Sequence, residues 1–267
     1  MKIAITGSDG YIGSTLAEKL KDTDHDIHLL DINDWDIRTI PMKSGLPHNW
    51  LFFDAVVHLA ALVKVGESVE KPWDYYNTNI NGVQKVITHF PDAKMIFAST
   101  GAAFNPTSPY AKSKVAAEDL IRSQCKEYTI FRFFNVGGRE PSNSDGIHAA
   151  TINACESGTF TIYGNDYNTK DGTCVRDYVH VDDLCDAIIQ AIYKPGAMTK
   201  YEPLGSGKSY TVLEYIIAFL EENGPKFKIK FGPRREGDNE LSEVPFISKF
   251  MNPQKTLKDI VKLWKRF

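Results

Sequence analysis

Cysteine is scarce: Cys125, Cys155, Cys174 and Cys185 are the four in 267 residues, with no C-x-x-C pair and no His/Cys grouping at zinc-ligand spacing. That excludes a disulfide-stapled secreted scaffold and a zinc-finger module, and fits unpaired thiols in a reducing cytoplasm. An excess of one charge is also lacking. With a formal net charge of -3 there is no broad positive field for nucleic acid or anionic lipid, so any bound anion must be held by local groups. Long apolar runs are missing. The most apolar stretch, Ala55 to Val65, falls far short of the ~18 residues a membrane span needs and carries His58 and Lys64. The opening MKIAITGSDG enters a strand-like run at once, without the apolar core and cleavage site of a secretory leader. No internal repeat, charge block or low-complexity segment interrupts the chain. At 42% hydrophobic and 24% charged, the composition is that of an ordinary globular chain, long enough for one large α/β unit and a smaller appendage.

What is present first is a rhythm. Buried-strand patterns at Lys2–Thr6, Ile27–Leu30, Ala55–Leu59, Lys94–Ser99 and Tyr128–Phe134 alternate with helical patterns at Ile12–Leu20, Trp73–Phe90 and Tyr110–Ser123. Alternation of this kind builds a doubly wound parallel sheet. In Trp73–Phe90 the residues Ile80, Val83, Ile87 and Phe90 form an apolar stripe, and Pro72 stands at its start, where proline is tolerated. Beyond Val136 the rhythm weakens into Gly137-Gly138, Pro141 and Ser142–Gly146 before a helical His148–Cys155. The expected domains are therefore residues 1–136, with 174–191 returning to the main sheet, and a smaller second domain over 137–267. His58 and His180, in apolar strand-like runs, are expected to be satisfied core histidines, and Trp35, Trp50, Trp73 and Trp264 to pack.

The first strand runs into Gly7-Ser8-Asp9-Gly10-Tyr11-Ile12-Gly13 and then a helix, the context of a dinucleotide-binding turn. Glycines admit a pyrophosphate close to the backbone, and the helix N-terminus offers free N–H groups and a positive dipole end. Asp31 ends the second strand 18 residues after Gly13, placed for an adenosine ribose and against a 2′-phosphate, which favours NAD over NADP. Further on, Tyr110 and Lys114 are four residues apart in SPYAKSK, a spacing that puts both on one helix face. An ammonium beside a phenol favours the phenolate, so the pair is expected to draw a pKa of about 10 towards neutrality, as a base for a hydroxyl requires. Ser99-Thr100 close the preceding strand and place a second hydroxyl within reach of the same substrate oxygen.

The blocks TGSDGYIG, HLAALVKVGESVEKPWDYYNTNI, SPYAKSK, RFFNVGG, YGNDYNTKDGTCVRDYVHVDDL and PRREGD together resemble the UDP-hexose 4-epimerase branch of the extended short-chain dehydrogenase/reductase family. The resemblance covers nearly the whole chain. It implies a Rossmann-type α/β fold with a smaller C-terminal substrate-binding domain, retained NAD, and C4 epimerisation of a UDP-hexose through a 4-keto intermediate. Carried over residue by residue, it implies Tyr110 as catalytic base and acid, Lys114 at the nicotinamide ribose, and Thr100 as the catalytic hydroxyl. Gly7, Gly10, Tyr11, Ile12, Gly13 and Asp31 would hold the cofactor, with Asp36 and Ile37 against the adenine. Asn135, Tyr163, Arg176, Arg235 and Asp238 would hold the UDP. Two arginines for a diphosphate and an aromatic face for uracil make chemical sense in themselves. A homodimer through the helices Trp73–Phe90 and Tyr110–Ser123 is also implied.

The chain departs from that branch in its short Thr100–Tyr110 segment, which forms a wall of the sugar pocket in the family, and in a compressed stretch from Asp31 to Asp54. The family's lysine near residues 60–65 is displaced, with Val63 in its place and Lys64 next. The asparagine-containing loop before His148–Cys155 is not recognisable. Counting from Asp238 puts Ser242 at the position that gates the sugar's C2 substituent. A 4,6-dehydratase would need an acid after Thr100, where Gly101-Ala102 stand, and a keto-sugar reductase would prefer NADPH, contrary to Asp31. A catalytically silent NAD sensor is the remaining alternative, and it would lose nothing on Tyr110→Phe.

Overall fold

The computed structural model describes residues 1–38, 52–139, 146–194, 201–224 and 226–263. In chain order the elements begin β1 (Lys2–Thr6), α1 (Tyr11–Leu20), β2 (Asp26–Leu30), β3 (Ala55–His58), α2 (Val65–Glu70), α3 (Pro72–Tyr76), α4 (Gly82–His89), β4 (Lys94–Thr100), α5 (Pro109–Gln124) and β5 (Tyr128–Phe133). They continue with β6 (Asn135–Gly137), α6 (Ile147–Ser157), β7 (Thr159–Tyr163), β8 (Val175–His180), α7 (Val181–Tyr193), β9 (Glu202–Leu204), β10 (Ser209–Thr211), α8 (Val212–Asn223), β11 (Lys228–Gly232), β12 (Leu241–Ser242) and α9 (Leu257–Val261).

Two compact units result, Met1–Arg132 with Ile188–Glu202, and Phe133–Ala187 with Pro203–Phe267. The first is built on the sheet β2-β1-β3-β4-β5-β9, in which β1 pairs in parallel with β2 and β3, and β3 with β4. The expected doubly wound α/β sheet is thus present. Strand β4, KMIFAST, is buried along its whole length, as a strand covered on both faces must be. Its core gathers Val56, Met95, Phe97, Ile121 and Ile130 with Trp35, whose indole packs 4.8 Å from His89 and 6.0 Å from Phe90.

The helix expected over Trp73–Phe90 is interrupted. A π-helical turn, Asn77–Asn81, separates α3 from α4. The turn presents Asn79, 1% exposed, to tertiary partners: its carbonyl accepts from the Leu62 N–H (2.9 Å) and its amide donates to the Leu62 carbonyl and the Ser113 hydroxyl (3.0 Å each). Val83, Ile87 and Phe90 of the expected stripe are buried, and Ile80 is half-buried. Trp73 does not pack as expected. It is 82% exposed on α3, touching Tyr76 edge-on, because Pro72-Trp73-Asp74 form the outward first turn of a short helix. Trp50, Trp264, Pro141 and Ser142 lie outside the described residues.

The second unit holds β10-β8-β12, with β6 also paired to β8, and the pair β11-β7. Segment 174–191, expected to rejoin the first sheet, stays here as far as Ala187, because β8 hydrogen-bonds to β6, β10 and β12. That pairing also draws Phe133–Val136 out of the first unit. Tyr178, Tyr215, Phe219 and Ile260 anchor its core. In that unit His148 is satisfied at both ring nitrogens, by the Tyr215 hydroxyl (2.9 Å) and the Gly138 carbonyl (2.8 Å). All four cysteines are free, Cys174 and Cys185 buried. Among the described residues no helix is long and apolar enough to cross a membrane.

Candidate active site

The glycine turn joins β1 to α1 with no room for side chains at its two ends. Gly7 has φ +73°, and a Cβ there would sit 2.7 Å from the Ala60 nitrogen, while one on Gly13 would sit 2.1 Å from the Gly7 carbonyl oxygen. Gly10 caps α1 with no side-chain hydrogen bond, and the first turn contains no acidic residue, so no carboxylate of the helix itself opposes an anion at its positive dipole end. Tyr11 is buried and Ile12 half-buried behind the turn. Asp31 reaches the turn directly: its carboxylate accepts from the Asp9 N–H (2.9 Å) and the Ile32 N–H (2.8 Å). A carboxylate offers about four acceptor positions, so capacity remains for ribose hydroxyls. Asp36 is clamped by Arg38, which holds its carboxyl below the usual range, and Ile37 is buried against Gly82, where a Cβ would meet its Cδ1 at 2.8 Å. The narrow turn, uncapped helix and ribose-range carboxylate fit a dinucleotide.

Strand β4 and helix α5 bring the expected Thr100, Tyr110 and Lys114 into the same unit. Ser108 caps α5 by accepting from the Ala111 N–H (3.2 Å), Pro109 opens it, and Tyr110 falls in the first turn. The Thr100 hydroxyl lies near enough to the Tyr110 phenol to favour its ionised form. Lys114, one turn on, donates from Nζ to the Ala98 carbonyl (2.8 Å) and lies 4.8 Å from the Phe97 ring centre. Burial pushes its pKa down to about 7, and Glu118 works in the opposite direction. The expectation that Lys114 draws the phenol towards neutrality is corrected here. Burial raises the Tyr110 pKa above its ordinary value, and the opposing influence is the Thr100 hydroxyl. His58 is buried as expected but only half satisfied: Nδ1 lies 2.6 Å from the Thr6 hydroxyl, and Nε2 has no partner among the described residues. Its pKa, lowered to about 3 by burial and then by the Lys114 charge, keeps it neutral.

Among the buried charges that the sequence pattern did not single out, one lies at this site. Glu118, one more turn along α5, accepts from the Ser99 hydroxyl (2.5 Å), from Arg132 twice (2.9 and 2.8 Å) and from Arg122 (2.7 Å). Its signal was the i, i+4, i+8 row beginning at Tyr110 and Lys114.

The residues expected at the UDP all fall in the second unit. Three of them meet: the Arg235 guanidinium lies 4.6 Å from the Tyr163 ring centre and donates to Asp238 (3.0 Å). The parallel pairing of β11 with β7 brings this about by setting Gly232 opposite Tyr163. An adjacent pair not foreseen repeats the arrangement, with Arg234 4.0 Å from the Tyr167 ring and bonded to Asp166 (2.7 Å). Asn135 and Arg176 stand apart from that trio in their contacts. Asn135 donates to the Asp177 carbonyl (3.1 Å), and Arg176 to the Val175 carbonyl (2.8 Å), with Ser242 beside Arg176 in the β8–β12 register. His180 is buried with Nδ1 accepting from the Asp182 N–H (3.1 Å) and Nε2 without a partner among the described residues, so it too is half satisfied.

A profile of the NAD dependent epimerase/dehydratase family matches residues 3–205. UDP-glucose 4-epimerase of Lactobacillus helveticus is 32% identical over 286 residues, with 89% of this chain and 86% of that protein covered. UDP-glucose 4-epimerase 2 of rice (Oryza sativa subsp. japonica) is 35% identical over 71% of this chain, which spans only 55% of the plant protein's length. Among solved structures, UDP-glucose 4-epimerase from Bifidobacterium longum in complex with NAD+ and UDP superposes with a TM-score of 0.84 at 25% identity, covering 98% of this chain and 96% of that one.

Proposed function

The chain belongs to the NAD-dependent epimerase/dehydratase family, and from that membership we propose that it inverts the C4 hydroxyl of a UDP-hexose, with NAD retained throughout. The observation that carries the reading is that the Thr100 hydroxyl acts on the buried Tyr110 phenol, with Lys114 one turn on, in the same compact unit as the glycine turn and Asp31. NAD seated on Gly7, Gly10, Tyr11, Ile12 and Gly13, with its ribose on Asp31 and its adenine by Asp36 and Ile37, supplies a reversible hydride acceptor at C4.

The protein's own part is proton handling and orientation. Tyr110 as phenolate takes the C4 hydroxyl proton, directly or through Thr100, and returns it after the 4-keto sugar has turned over. Lys114, as ammonium, is assigned to the nicotinamide ribose; in this structure its Nζ is held by the Ala98 carbonyl, and the Thr100 hydroxyl is what opposes burial at Tyr110. The raised pKa of the buried phenol means that the reaction needs a positive charge brought to it, from Lys114 or from bound oxidised NAD. In the second unit, Arg235, paired with Asp238 beside Tyr163, is suited to a diphosphate next to an aromatic face, and Asn135 and Arg176 are assigned to the same UDP. Because net redox is zero, turnover needs no added cofactor.

Purified protein given UDP-galactose should form UDP-glucose without added NAD. The small Ser242 beside Arg176 extends the expectation to the N-acetylated pair, and product analysis with all four sugars decides between them. Failure to interconvert either pair would sink the proposal. The protein is assigned to the cytoplasm as a homodimer joined through α3, α4 and α5, a reading supported by the exposed indole of Trp73. Light scattering at micromolar concentration should return twice the 30.0 kDa chain mass, and a monomer would refute the dimer.

A further inference from the structure

We infer that Glu118 is a positioning residue of the Thr100–Tyr110–Lys114 site, tying the end of β4 to α5 and supplying the counter-charge beneath Lys114. The inference rests on the reading of that trio as catalytic. Three consecutive residues at the end of β4 each face a different turn of α5. Ala98 receives Lys114 at its carbonyl, Ser99 donates its hydroxyl to Glu118, and the Thr100 hydroxyl acts on the Tyr110 phenol. Ser99 therefore fixes, through Glu118, the backbone that carries the Thr100 hydroxyl. Glu118 itself is 0% exposed, which an unpaired carboxylate could not sustain. Arg132 and Arg122 satisfy it, and the Arg132 guanidinium is further wedged between Phe104 (4.6 Å) and Tyr201 (4.0 Å).

The ionisable groups around Lys114 leave Glu118 as the one that favours its charge. His58 on β3 is neutral, and Tyr110 on α5 is protonated until its phenol is used. Arg132 on β5 and Arg122 on α5 are cations. On α3, Tyr75 packs 6.3 Å from Tyr110 and gives its hydroxyl to Glu67 on α2 (3.1 Å). Two cations on one carboxylate mean that removing Glu118 or Arg122 must move Lys114 in opposite directions. A residue that merely supports the fold has no such sign dependence.

The test is a direct titration of Lys114 by carbon NMR of lysine-labelled protein, assigned with Lys114→Arg, in wild type, Glu118→Gln and Arg122→Gln. Glu118→Gln should lower the Lys114 midpoint by about 1 unit, and Arg122→Gln, at the half-exposed side of the cluster, should raise it. The alkaline limb of kcat should move the same way in each, with KM for the UDP-sugar within about twofold of wild type and partial recovery in Glu118→Asp. Ser99→Ala keeps every charge and should leave the midpoint in place while lowering kcat several-fold. An unmoved midpoint in folded Arg122→Gln, or full kcat in Ser99→Ala, would overturn the assignment even if Glu118→Gln fails to fold. The titration needs no turnover. A wild type that does not epimerise thus sinks the proposed reaction, whereas an epimerising wild type with unmoved midpoints sinks the role of Glu118 alone.

Discussion

Tyr110 is subject to two opposed influences. Its burial favours the neutral phenol, and the Thr100 hydroxyl favours the phenolate, with burial the larger of the two. A phenol so placed is a poor base until a positive charge is brought to it, which is what the reaction requires of Lys114 and of bound oxidised cofactor. Tyr110→Phe removes the proposed base and leaves the glycine turn untouched. Its kcat should fall about 10²–10⁴-fold while its NAD content, measured by release on denaturation, stays at the wild-type level. A non-catalytic NAD sensor would show no loss in its own function. The residues of this site were legible in the sequence because each occupies a position that only local rules decide, a turn, a strand end and a four-residue spacing. The direction of the Tyr110 shift was not legible. It depends on how deeply the first turn of α5 is buried, and no local pattern states that.

At the scale of elements, β1, β4 and α5 follow their apolar patterns to within a residue or two, whereas Trp73–Phe90 divides around a π-helical turn. Apolar periodicity sees the stripe of Val83, Ile87 and Phe90 and has no account of Asn79, whose partners are Leu62 and Ser113, distant in sequence. The turn thereby holds the chain after β3 and the back of Ser113 on α5 with a single amide. Asn79→Ala leaves buried polar groups on both sides without partners, and urea unfolding should show a loss of about 2–4 kcal/mol. Because Ser113 adjoins Lys114, kcat should fall with it. Trp73 was misjudged for a similar reason: its helix buries Tyr75, two residues along, and turns the indole outward. The second unit was the least legible, since β6, β10 and β12 are two or three residues long and exist as strands only because β8 pairs with them.

For the whole molecule, buried histidines set the response to acid in both units. His58 titrates near 3 and His148 near 4, in each case with burial as the main cause, against about 6.5 in an unfolded chain. The unfolded chain therefore binds more protons between those limits, and stability present above pH 6.5 is lost as the pH falls towards 4. Asp177 runs the other way. Burial raises it to about 6, so its protonation on acidification favours the fold. Two histidines, each contributing at most about 1.4 kcal/mol per pH unit, outweigh one aspartate. Tm should drop between pH 7 and pH 4.5, and His148→Gln should flatten that drop at the cost of a lower Tm at neutral pH, read by calorimetry.

The free cysteines bear on how the protein ages rather than on how it folds. Cys174 and Cys185 are sealed in the core, burial pushes the Cys125 thiol up to about 11, and the Cys155 thiol is raised as well and donates to the Thr151 carbonyl. Oxidants and alkylating agents attack the thiolate, which burial disfavours at Cys125 and Cys155, while Cys174 and Cys185 are out of a reagent's reach. The native protein should react sluggishly with Ellman's reagent and yield all four thiols only after denaturation. In air, without added reductant, it should keep its thiols for as long as it stays folded, so that oxidative loss measures unfolding.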